Sequence, residues 1–286
     1  MPNLKEIRNR ISSVKSTMQI TSAMKMVSAA KLKKAQDAIT AMRPYANKLT
    51  ELLQNLSGSL DGDVGGKFAD NREVKKVLVV AITSNRGLCG AFNSNIIKQS
   101  VSLYHGQYGG KQVDFMTIGK KGNDILSKKF TIVSNHSGVY DHLTFENVAE
   151  IAENLMLRFT EGEYDRIELV YNKFKNAATQ IVMTEQFLPI VAPEEDASNS
   201  GDYIFEPSKP EIVEQLIPKS LKTQLYKAVR DSFASEHGAR MTAMHKATDN
   251  AAELRDQLTL TYNKARQAAI TNEILEIVGG AEALNN

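Results

Sequence analysis

Leu4-Lys5-Glu6-Ile7-Arg8-Asn9-Arg10-Ile11-Ser12-Ser13-Val14-Lys15-Ser16-Thr17-Met18 is the stretch from which the fold can be read. Its apolar residues, Leu4, Ile7, Ile11, Val14 and Met18, recur in alternating steps of three and four, the a and d positions of a heptad repeat. The frame resumes without a shift at Leu32, Ala35, Ile39, Met42, Ala46, Leu49, Leu53 and Leu56. One long helix is therefore predicted over residues 1–57, about 80 Å at 1.5 Å per residue. In between, the frame places Thr21, Lys25 and Ser28 in the apolar seam. A buried lysine there costs stability and is normally kept for register or for a partner. The helices are accordingly expected to part or rotate at this point, turning Met24 and its neighbours outward. Pro44 is expected to bend the helix or loosen one turn.

The other end of the chain reads the same way. Residues 209–286 form a second helical segment, with an uninterrupted run expected from Lys219, after Pro218, to Leu284. Such a run would be about 100 Å long. Its stripe is small: Ala247, Ala251, Leu254, Leu258, Thr261, Ala265 and Ala268. Small residues let a neighbouring helix approach closely. Two such helices in one chain most simply pair as an antiparallel coiled coil. The second is longer, so its apolar end, Ile270, Ile274, Leu275, Ile277 and Val278, is expected to run beyond its partner. An uncovered apolar surface of that kind marks a binding site.

Between the helices the period changes. Val77-Leu78-Val79-Val80-Ala81-Ile82 is a continuous apolar run suited to a strand buried on both faces. Helices are expected at Asn93–Tyr104, Gly119–Lys128 and Phe145–Thr160. Further strands are expected at Val113–Ile118, Phe130–Val133, Arg166–Phe174 and Gln180–Gln186, the last two as a hairpin. Alternating strands and helices give a central α/β, Rossmann-like domain over residues 74–190. Residues 191–208 read as an acidic loop and a short following segment, and residues 58–66 as a Gly/Asp-rich loop.

Composition narrows the function classes. The 286 residues include 17 Gly, 7 Pro and no Trp, as long helices require. A single cysteine, Cys89, excludes a disulfide framework and a multi-thiol zinc site. No run approaches the roughly 18 apolar residues of a membrane span, and the first residues lack the apolar stretch of a signal peptide. Residues 1–57 carry ten Lys and Arg against three Asp and Glu, within a net charge of only +2. That asymmetry implies an acidic partner surface for the first helix.

Motif by motif, the chain offers no chemistry. There is no GxxxxGK phosphate loop; Gly106-Gln107-Tyr108-Gly109-Gly110-Lys111-Gln112 fails on spacing and lacks the hydroxyl. Ser84-Asn85-Arg86-Gly87-Leu88-Cys89-Gly90 precedes a helix, as anion-binding loops do, but reads first as a strand-to-helix turn. Cys89 beside that turn reads as packing rather than as a nucleophile. The five histidines lack metal-ligand spacing. Neither a catalytic residue nor a metal nor a cofactor is expected. Lys31-Leu32-Lys33-Lys34 raises basic-region nucleic-acid binding, so a basic coiled-coil nucleic-acid binder or scaffold is the alternative reading. The heptads continuing on both sides of the cluster weigh against it.

Several stretches resemble a known family. Residues 5–36, including Gln19-Ile20-Thr21-Ser22-Ala23-Met24-Lys25-Met26-Val27, are similar to the N-terminal helix of gamma subunits of the F-type ATP synthase. Residues 239–250 and 262–281 resemble that family's C-terminal signature, and Asn85–Gly90 and Tyr203–Pro207 match it internally. The resemblance implies a central-stalk rotor without a catalytic site, turning inside a ring of alpha and beta subunits. Its foot would meet the epsilon subunit and the membrane c ring, coupling proton flow to ATP synthesis or hydrolysis at the beta subunits. By position, Arg266 and Gln267 match the pair that bonds an acidic loop on beta, with Thr271 and Glu273 as nearby contacts and Met24 and Lys25 facing that loop. Ile270, Ile274, Ile277 and Val278 match the apolar tip in the head, and Tyr203, Phe205 and Glu206 the foot near the c ring. Membrane contact only through partners, at the cytoplasmic face of a bacterial inner membrane, follows from the same resemblance, as does the absence of nucleic acid.

Overall fold

The computed structural model describes residues 3–57, 66–68, 70, 72–190 and 209–284, without the side chains of residues 47, 50–57, 66, 209–214 and 282–284. Two helices frame the chain, α1 over Leu4–Ser57 and α5 over Lys209–Leu284. The chain divides into two compact units, Met1–Ser28 with Met241–Asn286, and Ala29–Arg240. Both long helices contribute to both units.

The larger unit is built on a five-stranded sheet of order β3-β2-β1-β4-β5. Its strands are β1 (Lys76–Ile82), β2 (Gln112–Ile118), β3 (Ile132–Asn135), β4 (Arg166–Phe174) and β5 (Gln180–Leu188). The pairs among β1, β2, β3 and β4 are parallel, and β4 with β5 is antiparallel. Val77 to Ile82 are all buried because β1 lies in the middle with helices on both faces. Leu78, Val80 and Ile82 meet Val148, Leu155 and Phe159 of α4 (Phe145–Thr160) and Leu221, Leu225 and Val229 of α5. Val77, Val79 and Ala81 meet Ile96 and Leu103 of α2 (Phe92–His105) and Leu126 of α3 (Lys120–Leu126). Residues 217–229 of α5, part of the segment read as coil, thus form a layer of the sheet domain as well.

Local chemistry sets the turns. Thr144 caps α4, its hydroxyl accepting from the Asn147 amide at 3.3 Å. Asn176 closes the β4–β5 hairpin by accepting from the Ala178 and Thr179 amides at 3.0 and 2.7 Å. Gly238 of α5 lies against that hairpin, and a Cβ there would meet Ala177 Cα at 3.2 Å. Gly119 opens α3 at a φ of 114°, and a side chain would come within 2.2 Å of the Thr83 carbonyl oxygen.

Three expectations are corrected. β3 begins at Ile132, not Phe130, because the Phe130 ring packs on Tyr104 and Phe115 at 4.9 and 5.0 Å. α5 runs through Pro218 rather than starting after it. Proline costs a helix interior a hydrogen bond, but Ile217 and Leu221 are buried on either side, and their packing holds the turn. The helices also stay together where separation was expected.

That last correction is seen in the smaller unit. The Arg8 guanidinium donates to the Tyr262 hydroxyl at 2.9 Å, Arg255 reaches the Met18 sulfur at 3.9 Å, and the Thr21 and Thr248 hydroxyls bond at 2.8 Å. Rising numbers on α1 meet falling numbers on α5, so the pair is antiparallel. Thr21 therefore bridges the seam, Lys25 is half-buried and Ser28 is buried, all in the heptad frame. On α5 the inward positions are Ala251, Arg255, Leu258, Tyr262 and Ala265, whereas Leu254 and Thr261 are exposed. The stripe read from small residues was one position off at two places, Leu254 and Thr261, because an arginine and a tyrosine supply the contacts there.

Candidate functional site

Two surfaces and one buried network concentrate the unusual residues. The first surface is the end of α5. Arg8 pairs with Tyr262, so α1, which starts at Leu4, runs out about one turn further on, near Arg266. Beyond that point Ile270, Ile274, Leu275, Ile277 and Val278 are all exposed, Ile277 by 70%. Arg266, Gln267, Thr271 and Glu273 are exposed beside them, while Ala265 and Ala268 remain half-buried in the seam.

The second surface lies on α1. Met26 is 64% exposed, with Ile20 and Val27 also exposed, whereas Met24 and Lys25 are half-buried. Ile20, Ala23 and Val27 are spaced three and four apart, so they make an outward apolar stripe on a helix whose other face is the seam. The sequence reading named Met24 for this face; Met26 and Val27 present more of themselves.

The buried network surrounds the turn from β1 to α2, at the carboxyl ends of the strands. Ser84 and Asn93 tie the turn, the Ser84 amide donating to Asn93 Oδ1 at 3.0 Å and Asn93 Nδ2 donating to Cys89 Sγ at 3.2 Å. Leu88 sits exposed with a φ of 61°, a conformation that costs a branched side chain energy. Arg240 of α5 stabilises this turn. Its Nη2 donates to the Arg86 carbonyl at 3.0 Å, its Nε to the Gly87 carbonyl at 3.3 Å, and its Nη1 pairs with Glu236 at 2.7 Å. Burial pushes the Glu236 carboxyl up, with Arg240 pulling it back, and pushes the Cys89 thiol up. Burial, with Arg240 and Lys31, pushes the His237 imidazole down to about 3, so it stays neutral. The turn thus offers carbonyl oxygens to a guanidinium. An anion loop offers amides, so the strand-to-helix turn is the reading this geometry favours.

Sequence reasoning missed the Arg240 network. Ser235-Glu236-His237 is a polar run inside a helix turn facing the sheet, and burying it only becomes visible once α5 is placed there. The foot residues Tyr203, Phe205 and Glu206 lie outside the described residues. Among the described residues, no helix is long and apolar enough to cross a membrane, and no group of three or more His, Cys, Asp or Glu is placed to hold a metal.

A family model described as ATP synthase matches residues 3–284. The ATP synthase gamma chain of Flavobacterium johnsoniae is 76% identical over 286 residues, the whole of both chains. The chain belongs to the ATP synthase gamma-chain family. That of Christiangramia forsetii is 67% identical over 285 residues, covering 100% of each. Among solved structures, the central stalk and c ring of Tetrahymena thermophila mitochondrial ATP synthase contains a chain similar at 28% identity and a TM-score of 0.60, covering 80% of this chain and 99% of that one. The Euglena gracilis mitochondrial ATP synthase shows the same fold at 23% identity, with a TM-score of 0.70, over 98% of this chain and 94% of that one. Gamma-chain membership makes this a subunit of an enzyme complex and sets aside the nucleic-acid-binding alternative.

Proposed function

We propose that the chain is the rotating central stalk of a proton-translocating F-type ATP synthase, coupling turning of a membrane c ring to affinity changes at catalytic beta subunits. The observation that carries this is the end of α5, where an apolar helix surface runs past its partner helix with nothing among the described residues of the smaller unit to cover it. A ring of alpha and beta subunits would cover it. An asymmetric two-helix pair turning inside such a ring meets each beta subunit differently in turn. Only differential interaction with the states of a partner can shift its equilibrium.

In this reading Arg266 and Gln267 bond an acidic loop on beta, with Thr271, Glu273, Met24 and Lys25 nearby. Arginine suits the task because its rigid fork of donors matches carboxylate geometry. Tyr203, Phe205 and Glu206 serve the foot near the c ring, and epsilon binds the α/β domain. The chain performs no chemistry itself, and the complex holds it at the cytoplasmic side of the membrane. Purification from detergent-solubilised membranes tests this: alpha, beta, epsilon and c subunits should accompany the chain, and the chain alone should not hydrolyse ATP. Turnover by the isolated chain that disappears in Arg86→Ala would overturn the non-catalytic reading.

A further inference from the structure

Asp231 on α5 is a buried carboxylate with little to compensate its charge. Its side chain is 1% exposed, and neither carboxylate oxygen accepts a hydrogen bond of good geometry among the described residues. Among the described residues its ion-pair partner is Arg43 of α1, whose Nη2 lies 3.6 Å away. The same nitrogen also donates, at 3.4 Å, to the Phe174 carbonyl at the end of β4. Arg43 therefore touches the other long helix and the sheet through one guanidinium group. It precedes Pro44, which withholds its amide from the helix at this turn. Tyr45 follows, with the Lys219 ammonium of α5 6.0 Å from its ring centroid.

Such a pair is a poor stabiliser. A buried charge pair recovers its desolvation cost only when geometry is good and the remaining lone pairs are bonded. Here the contact is long and the lone pairs are poorly bonded. Burial pushes the Asp231 carboxyl up, and Arg43, Lys227, Lys173 and the Phe174 amide only partly pull it back. Tyr171 on β4 is the remaining titratable group coupled to it, with its hydroxyl bonded to Glu185 at 2.7 Å. A folded-state value above the unfolded one means the native state prefers the protonated acid. The stabilisation it contributes is complete below the unfolded value and is lost as pH rises through the folded one. At neutral pH the carboxylate thus weighs against folding.

We propose that Asp231 and Arg43 form a joint that fixes α1 against α5 and β4, retained for transmitting rotation through the chain rather than for folding. Apolar packing resists separation but is non-directional, so it opposes sliding of one helix along another only weakly. A charge pair adds a direction. Asp231 is a positioning residue in this proposal, which rests on the rotor reading above.

The assembled complex in inverted membrane vesicles tests it, with Asp231→Asn and Arg43→Gln measured for ATP hydrolysis and for protons pumped per ATP hydrolysed. The full chain of each is also melted at pH 7.5. Asp231→Asn is expected to melt no lower than wild type, and both variants should hydrolyse ATP while pumping at least twofold fewer protons per ATP. An unchanged pumping ratio in both variants, a melting temperature several degrees lower in Asp231→Asn, or failure of that variant to assemble would overturn the joint. Wild-type vesicles that hydrolyse ATP without pumping would instead overturn the rotor reading.

Discussion

The two units differ in how completely each buries its own apolar surface. In the larger one Tyr171, Phe115, Phe159 and Phe187 are fully buried between sheet and helices. In the smaller one the seam is held by Thr21 with Thr248, Arg8 with Tyr262 and Arg255 with Met18, while Ile20, Met26, Ile274 and Ile277 face outward. The first arrangement satisfies a chain folding by itself. The second pairs two helices by polar and small groups and leaves larger apolar groups outside, which suits a helix pair whose surroundings are other proteins. Stability should therefore reside chiefly in the larger unit and contact with partner subunits in the smaller one, and substitutions can separate the two.

The largest loss of stability should come from the sheet domain. Phe159→Ala empties a fully buried site between α4 and the sheet and is expected to cost about 3–5 kcal/mol in denaturant unfolding of the isolated chain. A loss comparable to that of a surface substitution would mean the core is not where this unit's stability lies.

Next is the pH dependence of the Arg240 network. His237 is held neutral in the native state, its value pushed down to about 3, whereas the unfolded imidazole takes up a proton below about 6.5. Its contribution is thus present above the unfolded value and is lost as pH falls toward the folded one, costing about 2 kcal/mol by pH 5. His237→Gln should flatten the fall in stability between pH 7 and pH 5 relative to wild type. Parallel stability curves would show that the imidazole takes up its proton equally in the native and unfolded chain.

A smaller, opposite effect is expected in the coil. Replacing Thr21 and Thr248 together by isoleucine exchanges a polar pair for an apolar one and should stabilise the isolated chain by about 1 kcal/mol. The double change is needed because a single one still leaves a hydroxyl in the seam, bonded only to its own helix at the Thr17 or Met244 carbonyl. No gain would mean the threonine pair is already the better seam. Smallest of all, Arg266→Ala should change stability by less than about 0.5 kcal/mol, as exposed substitutions do. In the assembled enzyme it should still weaken coupling by removing a charge-assisted contact worth about 1.5–3 kcal/mol.

Much of this contrast was legible in the sequence, and the reasons differ by region. The α1 frame was readable because its heptads are fixed by size and spacing, even across Thr21, Lys25 and Ser28. The central strands were readable because a strand buried on both faces cannot hide its apolar run. What escaped depends on contacts distant in the chain. Arg43 and Asp231 are 188 positions apart, and Arg240 meets a turn near residue 87. Pro218 read as a helix start because local rules see the missing amide and not the Ile217 and Leu221 contacts that outweigh it. Arg255 and Tyr262 escaped the stripe because long polar side chains are not counted as seam formers, yet their stems and ends make the contacts. The outward tip of α5 was found from relative helix length alone.

The uncovered end of α5 is the feature on which the functional reading rests, and the chain offers a clean way to probe it. Cys89 is buried, so the thiol introduced by Ile274→Cys would be the accessible one on the described surface. Its rate of maleimide labelling should be compared in the free chain and in the assembled complex. Rapid labelling in the free chain with strong suppression in the complex is the expected result. Equal rates in both would mean that no partner covers the helix end, contradicting its role as the part of the rotor held within the head.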